Sequence, residues 1–150
     1  MIAEAAIRPM KPGDIDELCA NLRPADAAEL VASGEADGPA GVRFAVEASE
    51  RVWAIEHDGH LGALFGLAPQ EPGRFVLWML TSRVFGEQPR PFVRAIRHAL
   101  PVLRKLGELF NFIDCRYTGA LRLAAALGAT FDSPIDHNGH VFVPFHFGRL

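Results

Sequence analysis

From Arg51 to Thr81 the chain carries three apolar runs in close succession, and no other feature narrows its possible folds so far. The first, Arg51–Glu56 (RVWAIE), ends at His57-Asp58-Gly59. Asp-Gly between apolar runs is a strong hairpin signal, because the favoured two-residue turn needs positive φ at both central positions. The second run, His60–Leu67 (HLGALFGL), answers it, and Ala68–Gly73 (APQEPG) reads as a turn. The third, Arg74–Thr81 (RFVLWMLT), is apolar throughout. A strand without polar alternation is one covered on both faces, so it belongs at the centre of a sheet.

The flanking segments supply that cover. Ala5–Pro9 is a short first strand, broken by Pro12-Gly13-Asp14. Asp14, with Glu17 three residues on, forms a capping-box-like start for a helix carrying Ile15, Leu18, Cys19 and Leu22 at helical spacing. A second helix begins at Pro24 and continues to Ser33-Gly34, followed by a loop over Gly34–Gly41. Val42–Glu50 has weak helical character. After the meander, Arg83–Arg90 reads as a loop. A helix from Pro91 follows, with Phe92, Val93, Ile96, Leu100 and Leu103 on one face. Pro101 inside it predicts a kink or two abutting helices, and Gly107 is the expected C-cap. Leu109–Tyr117 is a further strand, Gly119–Leu127 a short helix closed by Gly128, and Thr130–Phe147 a closing hairpin turned at His137–His140. Pro144 in its second strand points to an edge or a bulge. The order β-α-α-β-β-β-α-β-α-β-β is an α+β plan, not a doubly wound one.

The 150 residues suit a single domain spanning 1–150, and 49% hydrophobic residues are enough for one core. The net charge of −3 gives no bulk attraction to nucleic acid or anionic lipid, so neither a dedicated nucleic-acid binder nor a membrane-surface protein is expected. No apolar run reaches the length of a membrane span, and the N-terminus lacks the pattern of a signal peptide. Cys19 and Cys115, both among apolar neighbours, read as buried free thiols of a protein kept in a reducing compartment. His57–His60 and Asp136–His140 are explained as hairpin turns, and neither has a sharp metal-ligand pattern, so no metal is expected. Arg90, Arg94, Arg97, Arg104 and Lys105 read as the solvated face of their helix.

The element order resembles that of the GNAT-type N-acetyltransferases. The strongest local match is Tyr117-Thr-Gly-Ala-Leu-Arg-Leu-Ala-Ala-Ala-Leu-Gly-Ala129, which is similar to the family's helix after the fifth strand with its closing Leu-Gly. Within the family, Ala20–Leu30, Leu77–Ser82 and Leu109–Asp114 resemble small proteins encoded by T7-type phages, a group of acetyltransferases and internal virion proteins. The resemblance implies a mixed central sheet splayed between strands four and five, with acetyl-CoA in the opening. It also implies a protein made in the host cytoplasm, or carried in the virion, with a protein partner in the phage particle or the host.

The resemblance places the pantetheine contacts at Met79, Leu80 and Thr81, and the phosphates at Arg83-Val-Phe-Gly86-Glu-Gln88, with Arg83, Gly86 and Arg90 as cofactor-binding residues. That loop departs from the family pattern. Gln88 replaces a small residue, Glu87 adds negative charge, and Pro89 and Pro91 remove two backbone donors. The tyrosine that many members use to reprotonate the leaving thiolate is replaced by Ala124. Tyr117, the only tyrosine, lies seven residues earlier. Glu56, Asp114 and His98 are nominal general bases, each with a plain structural alternative: a solvated hairpin residue, a surface strand residue, a helix flank. Arg23, Asp26 and Glu29 lie in the helices that roof the acceptor site in the family, where an intrahelical charge pattern explains them equally well. Two functions lead, an acetyl-CoA-dependent N-acyltransferase with a degenerate loop or a non-catalytic accessory protein of the virion, and a third, weaker option is a host-directed inhibitor that binds a bacterial protein.

Overall fold

A computed structural model describes Glu4–Leu150. Its elements, in chain order, are β1 (Ala6–Pro9), α1 (Asp14–Asn21), α2 (Pro24–Ala32), α3 (Gly38–Ala48), β2 (Arg51–His57), β3 (His60–Glu71) and β4 (Arg74–Thr81). They continue with α4 (Arg83–Glu87), α5 (Pro89–Arg104), β5 (Glu108–Asp114), α6 (Thr118–Ala126), β6 (Thr130–Phe131), β7 (Ile135–His137) and β8 (His140–Phe147). The strands form one mixed sheet in the order β1-β2-β3-β4-β5-β8-β6, with β7 also pairing with β8. The meander β2-β3-β4 is antiparallel, as its turn residues predict, and Asp58 and Gly59 both adopt positive φ. Among the described residues, the one parallel junction lies between β4 and β5.

Alternation along β4 sorts the core into two layers. Trp78 and Leu80 pack with Leu18, Val42 and Leu64 beneath α1, α2 and α3. Leu77 and Met79 pack with Phe65, Phe85, Phe92 and Leu109 on the face covered by α4, α5 and α6. Phe92 is wholly buried, stacked 5.3 Å from Phe85, and its ring fills the space where a side chain at Gly62 would stand. Burial of a phenylalanine stabilises by about 1.5–3 kcal/mol, so this contact is a main anchor of α5 on the sheet.

Several local expectations change. Asp14 does not cap α1. Its buried carboxylate accepts from both terminal Arg8 guanidinium nitrogens, at 2.8 and 3.0 Å, and from the Lys11 amide at 2.6 Å, while Gly13 is the N-cap. Asp37 turns part of the expected 34–41 loop into the start of α3 by accepting the Ala40 amide at 2.8 Å. The run 68–71 extends β3, leaving the turn to Pro72-Gly73. Most of the expected loop 83–90 is helical: α4 occupies it and α5 already begins at Pro89. α5 continues through Pro101 as one helix, with Lys105 as its C-cap in place of Gly107. β5 ends at Asp114, where the Arg116 amide bonds back to the Asp114 carboxylate and turns the chain. Cys115 lies just beyond, exposed, while Cys19 is half-buried in α1. The closing hairpin has three strands. Pro144 sits on interior strand β8, where its neighbour changes from β6 to β7, so the break in that neighbour accommodates the missing donor.

Candidate functional site

β4 and β5 run together over only three pairs: Arg74 with Glu108, Phe75 with Leu109, and Val76 with Phe110. At the next step a side chain replaces the ladder. The Asn111 amide donates to the Leu77 carbonyl at 2.9 Å, and beyond it the strands part. The far end of the gap is spanned by α2. The Arg23 amide donates to the Thr81 carbonyl at 3.0 Å, and Asp26 accepts from both the Thr81 amide, at 3.0 Å, and the Thr81 hydroxyl. Glu29, one turn later, accepts the Asp114 amide of β5 at 3.1 Å. α2 is therefore tied at one point to the end of β4 and at another to the end of β5.

Between these closures lies a cavity of about 560 Å³. Its lining comes from both layers. Phe65, Met79, Phe85, Val93 and Leu123 line it on the α5 side; Leu30, Phe44, Trp78 and Leu80 line it on the α3 side. Backbone groups alternate along a strand, and the Leu77 carbonyl and Thr81 amide both face β5. The Met79 amide and carbonyl between them face the same gap, past the last ladder pair. Their orientation leaves one donor and one acceptor for a molecule threaded there.

The polar part of the wall is Arg23, Asp26, Glu29, Ser33, Glu35, Thr81, Asn111 and Tyr117. Burial pushes the Asp26 carboxyl above the usual range, against the Thr81 bonds, the Arg23 charge and the Tyr117 hydroxyl, which favour its ionised form. Burial likewise raises Glu29 to about 7. The Asp114 amide opposes the shift, and the Asp26 and Asp114 charges add to it. Tyr117 is pushed up to about 12, first by burial and then by the Asp26 charge, so its hydroxyl keeps its proton at neutral pH. The Arg23 guanidinium lies over the Phe85 and Tyr117 rings, at 5.9 and 6.0 Å.

The residues singled out in the sequence fall into two sets. Met79, Leu80, Thr81, Gly86 and Tyr117 line the cavity. Arg83, Arg90 and His98 are exposed and lie outside its wall. Glu56 pairs with Arg8 at 3.2 Å on the β1–β2 side of the sheet. The Asp114 carboxylate is held below the usual range by Arg116, at 2.6 Å, and it is the Asp114 amide that reaches the site, through Glu29. Glu29 and Asn111 gain their importance here. A polar residue inside an apolar strand run was the one available signal for Asn111. Asp26 and Glu29 at helical spacing showed only that they share a face. Among the described residues no three His, Cys, Asp or Glu side chains gather as a metal site, and no helix is long and apolar enough to cross a membrane.

This architecture, a mixed sheet parted between a parallel β4 and β5 with helices on both faces, is the GNAT acetyltransferase fold. A GNAT-family acetyltransferase from Bacillus anthracis superposes with a TM-score of 0.73 at 10% identity, covering 99% of this chain and 97% of that one. Spermidine N-acetyltransferase from Vibrio cholerae, solved with CoA and spermine, gives 0.72 at 12%, covering 97% and 96%. A GNAT-family acetyltransferase from Elizabethkingia anophelis with acetyl-CoA bound gives 0.63 at 13%, covering 97% and 98%. No protein-family model matches the chain, and no curated protein matches it.

Proposed function

We propose that the protein is an acyl-CoA-dependent N-acyltransferase, encoded by a phage, with an altered phosphate-binding loop. One observation carries this reading: β4 and β5 part after three ladder pairs and leave a cavity with the Met79 backbone turned into it. A narrow apolar passage with one strand edge free fits a pantetheine arm, which needs apolar cover and a few amide partners. Solved proteins of the same fold hold CoA and acetyl-CoA. The phage assignment rests on the resemblance carried by Ala20–Leu30, Leu77–Ser82 and Leu109–Asp114.

The residues present fit the pantetheine end better than the phosphate end. Two of the first three positions of α5, Pro89 and Pro91, have no amide hydrogen to offer an anion. Arg83, Arg90 and Arg94 stand exposed beside them and supply positive charge instead of backbone donors. Bound acyl-CoA would supply the activated thioester. The chain would position it along β4, exclude water with Phe65, Val93 and Leu123, and present the polar wall of α2 to the acceptor amine. Ala124 lines the cavity where many relatives of this fold carry a tyrosine, which favours a second reading, a virion accessory protein that keeps the fold without catalysis.

A thermal melt with acetyl-CoA decides between them. Ligand at 100 times its Kd stabilises by about 2.7 kcal/mol, which for a chain of this size raises Tm by roughly 5–10 °C. A clear rise supports the acyltransferase. An unchanged Tm at millimolar acetyl-CoA removes it in favour of the accessory role.

A further inference from the structure

We propose that Glu29 is the proton acceptor of the transfer reaction, and that the acceptor it serves is a small primary amine with an apolar body. The inference rests on the acyltransferase reading and gives that site its substrate class.

Three carboxylates line the cavity: Asp26, Glu29 and Glu35. Asp26 is committed, 4% exposed and bonded to Thr81 through amide and hydroxyl. Glu29 uses Oε1 on the Asp114 amide, and among the described residues its other oxygen carries no protein hydrogen bond. It lies where α2 meets β5, across the gap from the exposed edge of β4. The groups that act on it are Asp26 from its own helix, Asp114 with its Arg116 partner from β5, and Tyr117 beyond β5. Burial raises Glu29 to about 7, where a carboxylate is ionised in a large fraction of molecules and still basic enough to hold a proton.

The lobe on the α3 side defines the acceptor. Its wall is Leu30, Trp78 and Leu80, and its rim carries two exposed rings, Phe44 at 62% and Phe112 at 42%. Large exposed rings at a cavity mouth favour an apolar body, and their faces also attract a cation. An ammonium group carried past them meets the Glu29 carboxylate. One proton passes from nitrogen to Glu29. The freed lone pair forms the new N–C bond with the acyl carbon, the C–S bond breaks with its electron pair going to sulfur, and a second proton leaves nitrogen for that sulfur. Glu29 then releases its proton to solvent. The products are an amide and free thiol.

The test uses the intact protein, acetyl-CoA and phenethylamine, with thiol release followed from pH 5.5 to 9 and acetyl-CoA affinity measured by calorimetry. Wild type is expected to gain kcat with pH through an inflection near 7. Glu29→Gln should lose about 10²–10⁴-fold in kcat, lose the inflection, and bind acetyl-CoA within about twofold of wild type. Glu29→Asp should recover part of the rate. Two results overturn the inference while sparing the acyltransferase: Glu29→Gln turning over at the wild-type rate, or wild type binding acetyl-CoA while leaving phenethylamine unmodified. Wild type that fails to bind acetyl-CoA removes the acyltransferase reading itself, and this inference with it.

Discussion

Asp26 and Glu29 stand one turn apart on α2 and end on different strands, Asp26 on Thr81 of β4 and Glu29 on Asp114 of β5. Their partners lie 55 and 85 residues away in the chain. That separation explains why the sequence showed a helix carrying Arg, Asp and Glu but not which of the acids would titrate near neutrality. The raised Glu29 value also has a consequence for stability. Below pH 4.5 the group is protonated in both the folded and unfolded chain and contributes no difference. From 4.5 upward the unfolded chain ionises first while the native state holds its proton, so stability falls with pH until about 7 and is level above it. Glu29→Gln removes this loss. Urea denaturation at pH 5 and pH 8 should show the variant gaining on wild type at the higher pH, by at most about 3 kcal/mol. A gain confined to pH 5 would contradict the assignment.

At the scale of elements, α5 shows two effects of single residues on how a helix docks. Its anchor is Phe92 on the bare backbone of Gly62 in β3. Gly62→Ala puts a methyl group into the ring, and overpacking of this kind costs about 1–3 kcal/mol. A Tm lowered by roughly 2–10 °C with an unchanged far-UV spectrum is the expected result. The N-terminus of α5 is the second case. Replacing Pro89 and Pro91 together by Ala restores two amide donors there. Each hydrogen bond to a charged group is worth about 1.5–3 kcal/mol, so acetyl-CoA should bind at least about tenfold more tightly, a change calorimetry resolves. The elements themselves were largely legible in the sequence. The Asp58-Gly59 turn, the unbroken apolar run of β4 and the Phe92–Leu103 stripe each correspond to what forms. The misreadings share a cause: Asp14, the 83–88 segment and Pro144 depend on partners or gaps that tertiary packing supplies. Asp14 reads locally as a cap, yet Arg8 claims its carboxylate.

For the whole molecule, the resemblance carried by the Tyr117–Ala129 segment anticipated a splayed sheet, and the structure has one. The extent of the splay was not legible, because its limits are set by side-chain bonds. Asn111 ends the ladder below, and α2 joins both strands above. The opening is consequently a buttonhole and not a notch. α2 closes the rim between the strand tips. On the acyltransferase reading, a long molecule would be threaded through from one side of the sheet, and whatever reacts with its tip would arrive from the opposite side. The two partners of such a reaction would use separate doorways, and the spent molecule would back out the way it came.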